Sequence, residues 1–308
     1  MARMKRREFF ATAGAAAGAA TMLGLRMDAA AAEGGVQPPV KLPAGRRAKV
    51  EFMFKAPGPK ANGLQATPDG LWIMDQGDNH VYLVNYEGKV LRNLETEANR
   101  ASGITFDGQH LWLASTYSRE IIRCDATTGK TVEKYFTPGA GVIYRMPHDV
   151  PARRSPLAPA AAADPPAARQ PGQSAAEAAS GPNAPRLGTG GHGLEFQNGK
   201  LWLAVPPART IYRIDPATWV VEHRIPSVGN RPHGIGFEGR FLWEADSNLN
   251  AFFKRNPDTG EVLDRIQLAD SDPLPHGMTV RDGFIWYCDD VDRAPVSRVR
   301  IAGGTSSV

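Results

Sequence analysis

Apolar and polar residues alternate with a period of two through short segments that are separated by glycine-containing turns. Segments such as "HVYLVN" (residues 80–85) and "EIIRCD" (residues 120–125) show this alternation, which is typical of strands. Turns such as "PDG", "FDG" and "QNG" lead into segments that contain Leu-Trp, a pattern typical of hairpins. The hydrophobic pattern therefore predicts an all-β chain of short antiparallel strands.

The strand pattern recurs five times along the chain. In each copy a glycine is followed nine residues later by a tryptophan, as in Gly63 and Trp72, and five of the six tryptophans are used in this way. The copies begin at Asn62, Ser102, His192, His233 and His276. Successive copies are 40, 41 and 43 residues apart, except for a gap of 90 residues after the second copy. Four strands in a period near 40 predict a five-bladed β-propeller with four antiparallel strands per blade.

The two ends of the repeat region predict closure of the ring. The last copy ends after "PVSRVRIAG" without a fourth strand, whereas "KVEFMFKAP" (residues 49–57) precedes the first copy and belongs to none. We expect this N-terminal segment, with Val50, Phe52 and Phe54 on one face, to supply the missing outer strand of the last blade. The propeller is thus expected over residues 49–303.

The long gap after the second copy is an Ala/Pro-rich insertion at residues 139–190. Residues 151–190 contain 21 Ala or Pro among 40 residues and no Gly-to-Trp signature, so no sixth blade is expected. This composition is typical of a disordered surface segment. The alternative is a lid, because the connection opens on the face where inner strands begin. Its ordered root would then be "GVIYRMPHD", which includes Tyr144 and His148.

The N-terminus has the layout of an export signal. A basic leader with Arg6 and Arg7 precedes the weakly apolar segment "ATAGAAAGAATMLGL" (residues 11–25) and small residues near Ala32. The paired arginines resemble those of twin-arginine signals, and fifteen residues are too few to span a membrane. We expect residues 1–32 to be removed and residues 33–48 to be a linker. The mature chain would be a soluble monomer in the periplasm or secreted.

Loss of this leader changes the charge of the chain. The formal net charge is +4, and residues 1–32 carry five basic and two acidic residues, which leaves about +1. Neither a nucleic-acid partner nor, after signal removal, a membrane partner is therefore expected.

Cys124 and Cys288 fall in the second and fifth blades, which are not neighbours in a five-membered ring. We expect two buried free thiols, separated by more than the roughly 7 Å between Cα atoms that a disulfide tolerates.

Histidine and aspartate recur at two positions of the repeat. The residue before the glycine begins the first strand and the residue three after the tryptophan ends the antiparallel second strand, so both are expected at the same mouth of the central channel. The resulting pairs are Asn62/Asp75, Ser102/Ser115, His192/Val205, His233/Asp246 and His276/Asp289. We therefore expect His276 and Asp289 to be neighbours. Alternatively, the histidines cap strands and bond the connecting loops.

Such a ring of imidazoles and carboxylates supports two kinds of chemistry at the channel mouth. Each aspartate can orient its histidine as a general base. The candidate catalytic residues are His276, Asp289, His233 and Asp246. The ring can also hold a divalent metal such as Mg, Ca, Zn or Mn. The candidate metal ligands are His192, His233, His276, Asn62 and Asp75.

Two of the histidine motifs resemble the repeats of streptogramin (virginiamycin B) lyases. These motifs are "PHGI" at Pro232–Ile235 and "PHGM" at Pro275–Met278, each followed by a tryptophan strand that ends in an acid. The resemblance implies a propeller that opens a cyclic depsipeptide by metal-assisted elimination. His233 and His276 match the family's histidine, and Asp246 and Asp289 stand where that family has glutamate. The family has seven blades, whereas five are expected here.

A second resemblance is to gluconolactonase-like propellers, which bind a metal through an asparagine and acidic residues. "NGL" at Asn62–Leu64 and Asp75 fit this pattern. Plant-type glutaminyl cyclases also fold as five-bladed propellers but share no motif beyond the blade. We therefore expect an exported enzyme, a lyase or lactonase, that acts on a small-molecule lactone or cyclic ester at the channel mouth. The alternative is a non-catalytic periplasmic propeller that binds a ligand or a protein.

Overall fold

The fold consists of twenty β-strands that form five antiparallel sheets of four strands each. We analysed a computed structural model that describes residues 41–144, 146–147, 149–159 and 188–302. The predicted leader and the first half of the predicted linker, residues 33–40, lie outside the described residues. The only regular helical element in the described residues is a single 3-10 turn at Pro206–Ala208. The all-β prediction is confirmed.

Four of the five blades are built from consecutive strands, with the first strand of each blade next to the central channel. Blade 1 contains β2 (Ala61–Thr67), β3 (Gly70–Asp75), β4 (His80–Val84) and β5 (Val90–Glu95). Blade 2 contains β6 (Gly103–Phe106), β7 (His110–Ser115), β8 (Glu120–Asp125) and β9 (Thr131–Phe136). Blade 3 contains β10 (Leu194–Gln197), β11 (Lys200–Val205), β12 (Thr210–Asp215) and β13 (Val220–Pro226). Blade 4 contains β14 (Pro232–Glu238), β15 (Phe241–Asp246), β16 (Ala251–Arg255) and β17 (Val262–Gln267).

The fifth blade joins the two ends of the described chain. It contains β18 (Met278–Arg281), β19 (Phe284–Cys288), β20 (Pro295–Arg300) and, as the outer strand, β1 (Val50–Lys55). Strand β1 pairs antiparallel with β20. The prediction that an N-terminal strand completes the last blade is therefore confirmed, and the inner strands of blades 5 and 1 pack against each other.

The prediction that Val50, Phe52 and Phe54 share one face of β1 is wrong. The register with β20 shifts between Phe52 and Phe54, which is a β-bulge. A bulge adds one residue to one strand and exchanges the faces beyond it. Val50 consequently packs towards blade 4, Phe54 is buried towards blade 1, and Phe52 is 61% exposed.

The hydrophobic core lies between neighbouring blades, not within one layer. Each repeat tryptophan is buried in a different cluster: Trp72 between blades 1 and 2, Trp112 between 2 and 3, Trp202 between 3 and 4, Trp243 between 4 and 5, and Trp286 between 5 and 1. Every second strand is buried on both faces, as in β3, whose six residues are all buried. This explains why these strands are continuously apolar instead of alternating.

The repeat glycines set how closely the five blades approach one another. A Cβ atom on Gly103 would lie 2.0 Å from the carbonyl oxygen of His192, and one on Gly277 would lie 2.4 Å from that of Asn62. The glycines at 63, 193 and 234 meet the neighbouring blade in the same way, at 2.6–2.7 Å. Because only glycine permits this backbone contact, the glycine of the repeat is required by the narrow five-bladed ring.

Cys124 and Cys288 are both buried and free, which confirms the expectation of two unpaired thiols. Burial raises the pKa of the Cys124 thiol to about 12, and also raises that of Cys288. Both thiols therefore remain protonated, and they act as small apolar side chains of the core. Within the described residues, no helix is long and apolar enough to cross a membrane.

Candidate functional site

Three histidines lie side by side where the inner strands begin. The ring centroids of His192 and His233 are 4.6 Å apart, and those of His233 and His276 are 4.5 Å apart. Asn62 and Ser102 occupy the equivalent positions of blades 1 and 2, and both are buried. The repeat thus brings together, at one mouth of the channel, the positions that the sequence predicts to be there.

A local irregularity at the start of the inner strand turns these side chains inwards. In blade 4 the register shifts between Pro232 and Gly234, so that Asp246 pairs with Pro232 and His233 is the additional residue. Asn62 has the same position in blade 1. Since a bulge redirects the side chain of its extra residue, His233 lines the narrow axial channel instead of facing Asp246.

The aspartates bind loop backbone, not the histidine rings. Asp75, Asp246 and Asp289 each accept a hydrogen bond from a backbone N–H two residues before the repeat Asn or His. The donors are Lys60, Arg231 and Leu274, at 2.7, 2.8 and 2.9 Å. The aspartates therefore take a large part of the loop-bonding role that the alternative hypothesis assigned to the histidines.

Of the two predicted His–Asp pairs, only one is a close neighbour pair. Nδ1 of His276 lies 3.8 Å from Oδ1 of Asp289, which is beyond hydrogen-bonding distance. Nδ1 of His233 instead lies 3.1 Å from the hydroxyl of Ser247, which donates its own proton to the Pro275 carbonyl at 2.6 Å. His233 must therefore be the donor in that contact, and its Nδ1 carries the proton.

The contacts of His276 also define its tautomer. Nε2 lies 3.4 Å from a guanidinium nitrogen of Arg231, which can only donate. Nδ1 lies 3.4 Å from the carbonyl oxygen of Leu274, which can only accept. These two contacts favour a proton on Nδ1 and a lone pair on Nε2. Oδ2 of Asp290, 3.5 Å from Nε2, favours the opposite tautomer, but this oxygen also faces Nζ of Lys60, so we assign the proton to Nδ1.

Burial keeps the histidines uncharged. It lowers the pKa of His192 to about 3 and that of His276 to about 4, and it lowers the pKa of His233 well below its usual value. The positive charge of Arg231 lowers all three further, while Asp290 partly restores the pKa of His276. Burial also raises the pKa of Asp75 to about 6 and those of Asp246 and Asp289 above their usual range.

His276 and Arg231 face a cavity of about 670 Å³ at this mouth. Its other lining residues include Lys60, Ser155 and Asp290. A volume of this size suits a small organic molecule. We call this space the mouth cavity.

The first part of the insertion covers the mouth cavity. Ser155 donates a hydrogen bond to Oδ2 of Asp289 at 2.5 Å, and the backbone N–H of Arg153 donates to Asn248 at 3.0 Å. Asp149 forms an ion pair with Arg209 at the entrance to this segment. Residues 152–155, 158 and 159 of the insertion therefore line the mouth cavity, and the lid stays a prediction for the insertion as a whole. Residues 160–187 and His148, part of the predicted root, lie outside the described residues.

No family model matches the chain, and no curated protein matches it. Among solved structures, the glutaminyl cyclase of Myxococcus xanthus is similar, with a TM-score of 0.56, 11% identity, and coverage of 84% of this chain and 100% of the cyclase. The shared fold is the β-propeller. A streptogramin B lyase matches with a TM-score of 0.43, and the virginiamycin B lyase of Staphylococcus aureus with quinupristin matches with 0.42. Both lyases are 17% identical over 78% of this chain, which covers 64% and 66% of their lengths.

Of the five predicted metal ligands, the three histidines lie side by side, but only His276 belongs to a group of side chains close enough to share an ion. Among the described residues, the one group of three acidic or histidine side chains close enough to share an ion is His276, Asp289 and Asp290. Asp75 is bound to Lys60 and Gly77 backbone instead. His192, His233 and Asn62 lie outside this group of three.

The group of three offers suitable donor atoms but an unsuitable charge environment for a cation. Oδ2 of Asp289 already accepts two hydrogen bonds, and Oδ1 accepts one from the Asp290 N–H at 2.8 Å. The guanidinium of Arg231 is 3.4 Å from the Nε2 atom that would have to bind the metal. A cation there would be repelled by Arg231, so the residues fit a metal poorly.

Sequence reasoning missed Arg231, Ser155 and Asp290. A signal for Arg231 exists in the repeat, because the position two residues before the Asn, Ser or His is basic in three copies, as Lys60, Arg100 and Arg231. Ser155 carries no such signal, since it belongs to the insertion and reaches Asp289 across 134 residues of sequence.

Proposed function

We propose that this propeller is an enzyme that opens a lactone or another cyclic ester of a small molecule inside the mouth cavity. The observation that supports this most is His276. Its imidazole is neutral and carries its proton on Nδ1, so that the Nε2 lone pair can accept a proton from a substrate. The surrounding cavity of about 670 Å³ offers room for such a substrate.

Two routes use this base, and both end in a carboxylate. In elimination, Nε2 of His276 takes a proton from carbon, the C–H electron pair forms a double bond, and the C–O bond breaks to release the carboxylate. In hydrolysis, Nε2 takes a proton from water, the resulting hydroxide adds to the ester carbonyl, and the C–O bond breaks. The alkoxide then recovers the proton from His276. Because the residues fit a metal poorly, neither route is derived through one.

Comparison of matched variants tests the proposal. The chain of residues 33–308 would be incubated with lactones and cyclic depsipeptides in ¹⁸O-labelled water, beside His276→Asn. Asparagine is chosen because Asn62 occupies this position in blade 1. We expect ring opening, reduced by about 10²–10⁴-fold in the variant. Incorporation of ¹⁸O into the product carboxylate identifies hydrolysis, and an unlabelled alkene product identifies elimination.

The control is His223→Asn on the outer strand of blade 3, which should keep full activity. Equal activity of His276→Asn and the unmodified chain would refute the role of His276 as the base. Binding without ring opening would favour the alternative, a propeller that only binds its ligand. Metal analysis of the same preparation adds a check, since a stoichiometric metal that is absent from His276→Asn would contradict the poor fit described above.

We also propose that the mature chain acts outside the cytoplasm as a monomer. The twin arginines and the apolar segment of the leader support export, and the ring closed by β1 leaves few open sheet edges for association. A mature N-terminus near residue 33 in exported protein, with a monomer mass in solution, would agree with this; retention of the leader would not.

A further inference from the structure

The mouth cavity contains an arginine without a carboxylate partner among the described residues. The guanidinium of Arg231 has two long contacts, to Nε2 of His276 at 3.4 Å and to the carbonyl oxygen of Arg153 at 3.5 Å. No described carboxylate lies within 4.0 Å of it. Burial lowers the pKa of Arg231, and the more distant negative charges of Asp290 and Asp246 offset this only in part.

Arg255 is an arginine of the same molecule that has a purely structural role, and it provides a comparison for Arg231. It is fully buried and forms an ion pair with Glu244, and its remaining N–H groups donate to the carbonyl oxygens of Pro226 and Gly260 at 2.7–3.0 Å. Every part of that guanidinium is therefore satisfied by protein. Arg231 lines a cavity and lacks these partners, so its position is suited to a ligand.

The charged side chains that line the mouth cavity are mostly positive, like Arg231. Its lining includes four basic side chains, Lys60, Arg153, Arg154 and Arg231, and two acidic ones, Asp290 and Asp292. Two of the basic groups are paired within the protein, Arg153 with Asp270 at 2.7 Å and Lys60 with Asp290 at 3.7 Å. Of the remaining charged lining residues, Arg231 next to His276, the exposed Arg154 and Asp292 have no ion-pair partner among the described residues, which leaves a net positive charge.

We infer that Arg231 binds a carboxylate of the ligand, and hence that the substrate or product of this cavity is an organic acid. A guanidinium fork matches a carboxylate with two parallel hydrogen bonds. Asp290, whose Oδ2 is 3.5 Å from Nε2 of His276, would repel a doubly charged phosphate more than a singly charged carboxylate. Burial is the main cause of the low pKa of His276, and a carboxylate on Arg231 would offset the smaller lowering that the charge of Arg231 adds.

The part of this inference that concerns the reaction rests on the proposed function, whereas the part that concerns ligand binding does not. If the cavity opens a cyclic ester, the carboxylate released at the C–O bond would be formed beside Arg231. If the propeller only binds its ligand, Arg231 would still select an organic acid. Binding and ring opening must therefore be measured separately.

Three small probes test the charge requirement by ligand-observed NMR titration of residues 33–308. Benzoate carries the carboxylate, benzamide is its neutral counterpart of the same shape, and inorganic phosphate is the competing anion. We expect benzoate to bind at least about tenfold more tightly than benzamide, and more tightly than phosphate, because a charge-assisted bidentate contact is lost in the amide.

Two variants assign the effect to Arg231. Arg231→Gln should lose about tenfold or more in benzoate affinity while its weak affinity for benzamide is unchanged, and Arg231→Lys should fall between them because it keeps the charge but loses the fork. The matched control is Arg224→Gln, an exposed arginine on β13, which should bind benzoate normally. Thermal unfolding of each variant checks that the fold is kept.

Several results would overturn the inference. They are equal affinities for benzoate and benzamide, no binding of any probe, tighter binding of phosphate, or unchanged benzoate binding in both Arg231 variants. Benzoate binding through Arg231 without opening of any cyclic ester would leave the carboxylate site standing and refute the proposed function. Ring opening that is insensitive to Arg231→Gln would leave the proposed function standing and refute the carboxylate site.

Discussion

At the scale of single residues, the channel mouth is built from groups whose pKa values burial has moved in opposite directions. His192, His233 and His276 are kept neutral, whereas burial raises the pKa values of Asp75, Asp246 and Asp289. The aspartates stabilise the loops that precede the inner strands. His233 and His276 also contact loop groups, the Ser247 hydroxyl and the Leu274 carbonyl, whereas for His192 neither ring nitrogen has a hydrogen-bond partner among the described residues.

The buried histidines predict a specific pH dependence of stability. For His276 the folded pKa of about 4 is below the ordinary value of 6.5. The unfolded chain therefore binds the proton more readily, and the contribution of His276 is full above pH 6.5 and is lost as the pH falls towards 4. We expect the stability of His276→Asn, relative to the unmodified chain, to rise by on the order of 3 kcal/mol over this range.

Urea unfolding at pH 7, 5.5 and 4.5 measures this difference. The carboxyl groups with raised pKa values act in the opposite direction, but they are common to both chains and cancel in the comparison. Phe52→Ala on β1 removes no titratable group, so it is the control and should show no such change. A constant stability difference between His276→Asn and the unmodified chain across this range would contradict the neutral state assigned to His276.

At the scale of strands, a bulge decides which side chain of β1 is buried. Phe54 is 7% exposed and packs between blades 1 and 5, whereas Phe52, two residues earlier, is 61% exposed. Simple alternation cannot distinguish the two positions, because the bulge lies between them. The bulge at His233 has the corresponding effect at the site, since it turns the ring into the channel.

These two phenylalanines offer a matched pair of variants. Phe54→Ala should reduce the free energy of unfolding by about 3 kcal/mol, because it removes a buried aromatic ring and leaves a cavity. Phe52→Ala should change the free energy of unfolding by less than about 1 kcal/mol. Denaturant unfolding of both variants measures the difference. Similar losses in the two variants would show that β1 does not have the described register with β20.

At the scale of the whole molecule, the backbone contacts around the channel determine how five blades form a closed ring. Each repeat glycine touches the carbonyl oxygen that precedes the glycine of the next blade, and the contact between Gly277 and Asn62 closes the circle. The same ring brings His192, His233 and His276 within about 4.6 Å of their neighbours. Blade packing and site geometry are therefore coupled.

Replacing one of these repeat glycines should disturb both the packing of the blades and the geometry of the site. In Gly103→Ala the new Cβ would lie 2.0 Å from the His192 carbonyl oxygen, so blades 2 and 3 must separate. We expect a loss of about 3 kcal/mol in unfolding free energy. Gly141→Ala is the control, because none of the described residues has an atom within 4 Å of the methyl group that this substitution adds, and thermal unfolding compares the two. Equal stability would mean that the ring tolerates wider spacing.

Much of the fold could be predicted because the same sequence pattern, and therefore the same arrangement of strands, occurs five times. The Gly-to-Trp spacing defined the blades, and the unpaired strands at the two ends predicted closure, which β1 and β20 confirm. Strand order within a blade follows from short turns, which leave few alternatives. The clustering of the three histidines follows from their shared repeat position.

The sequence by itself therefore determined the blade count, the closed ring and the convergence of His192, His233 and His276. Only the tertiary structure decided what each of these groups touches. The bulge separated His233 from Asp246, the insertion brought Ser155 to Asp289, and blade packing left Arg231 beside His276. The physical reason is that the repeat pattern encodes which strands pair and which positions meet at the channel mouth. It does not encode a local bulge, which changes the partner of a side chain by a one-residue shift of register, or contacts made by the insertion and the connecting loops, which lie outside the repeat.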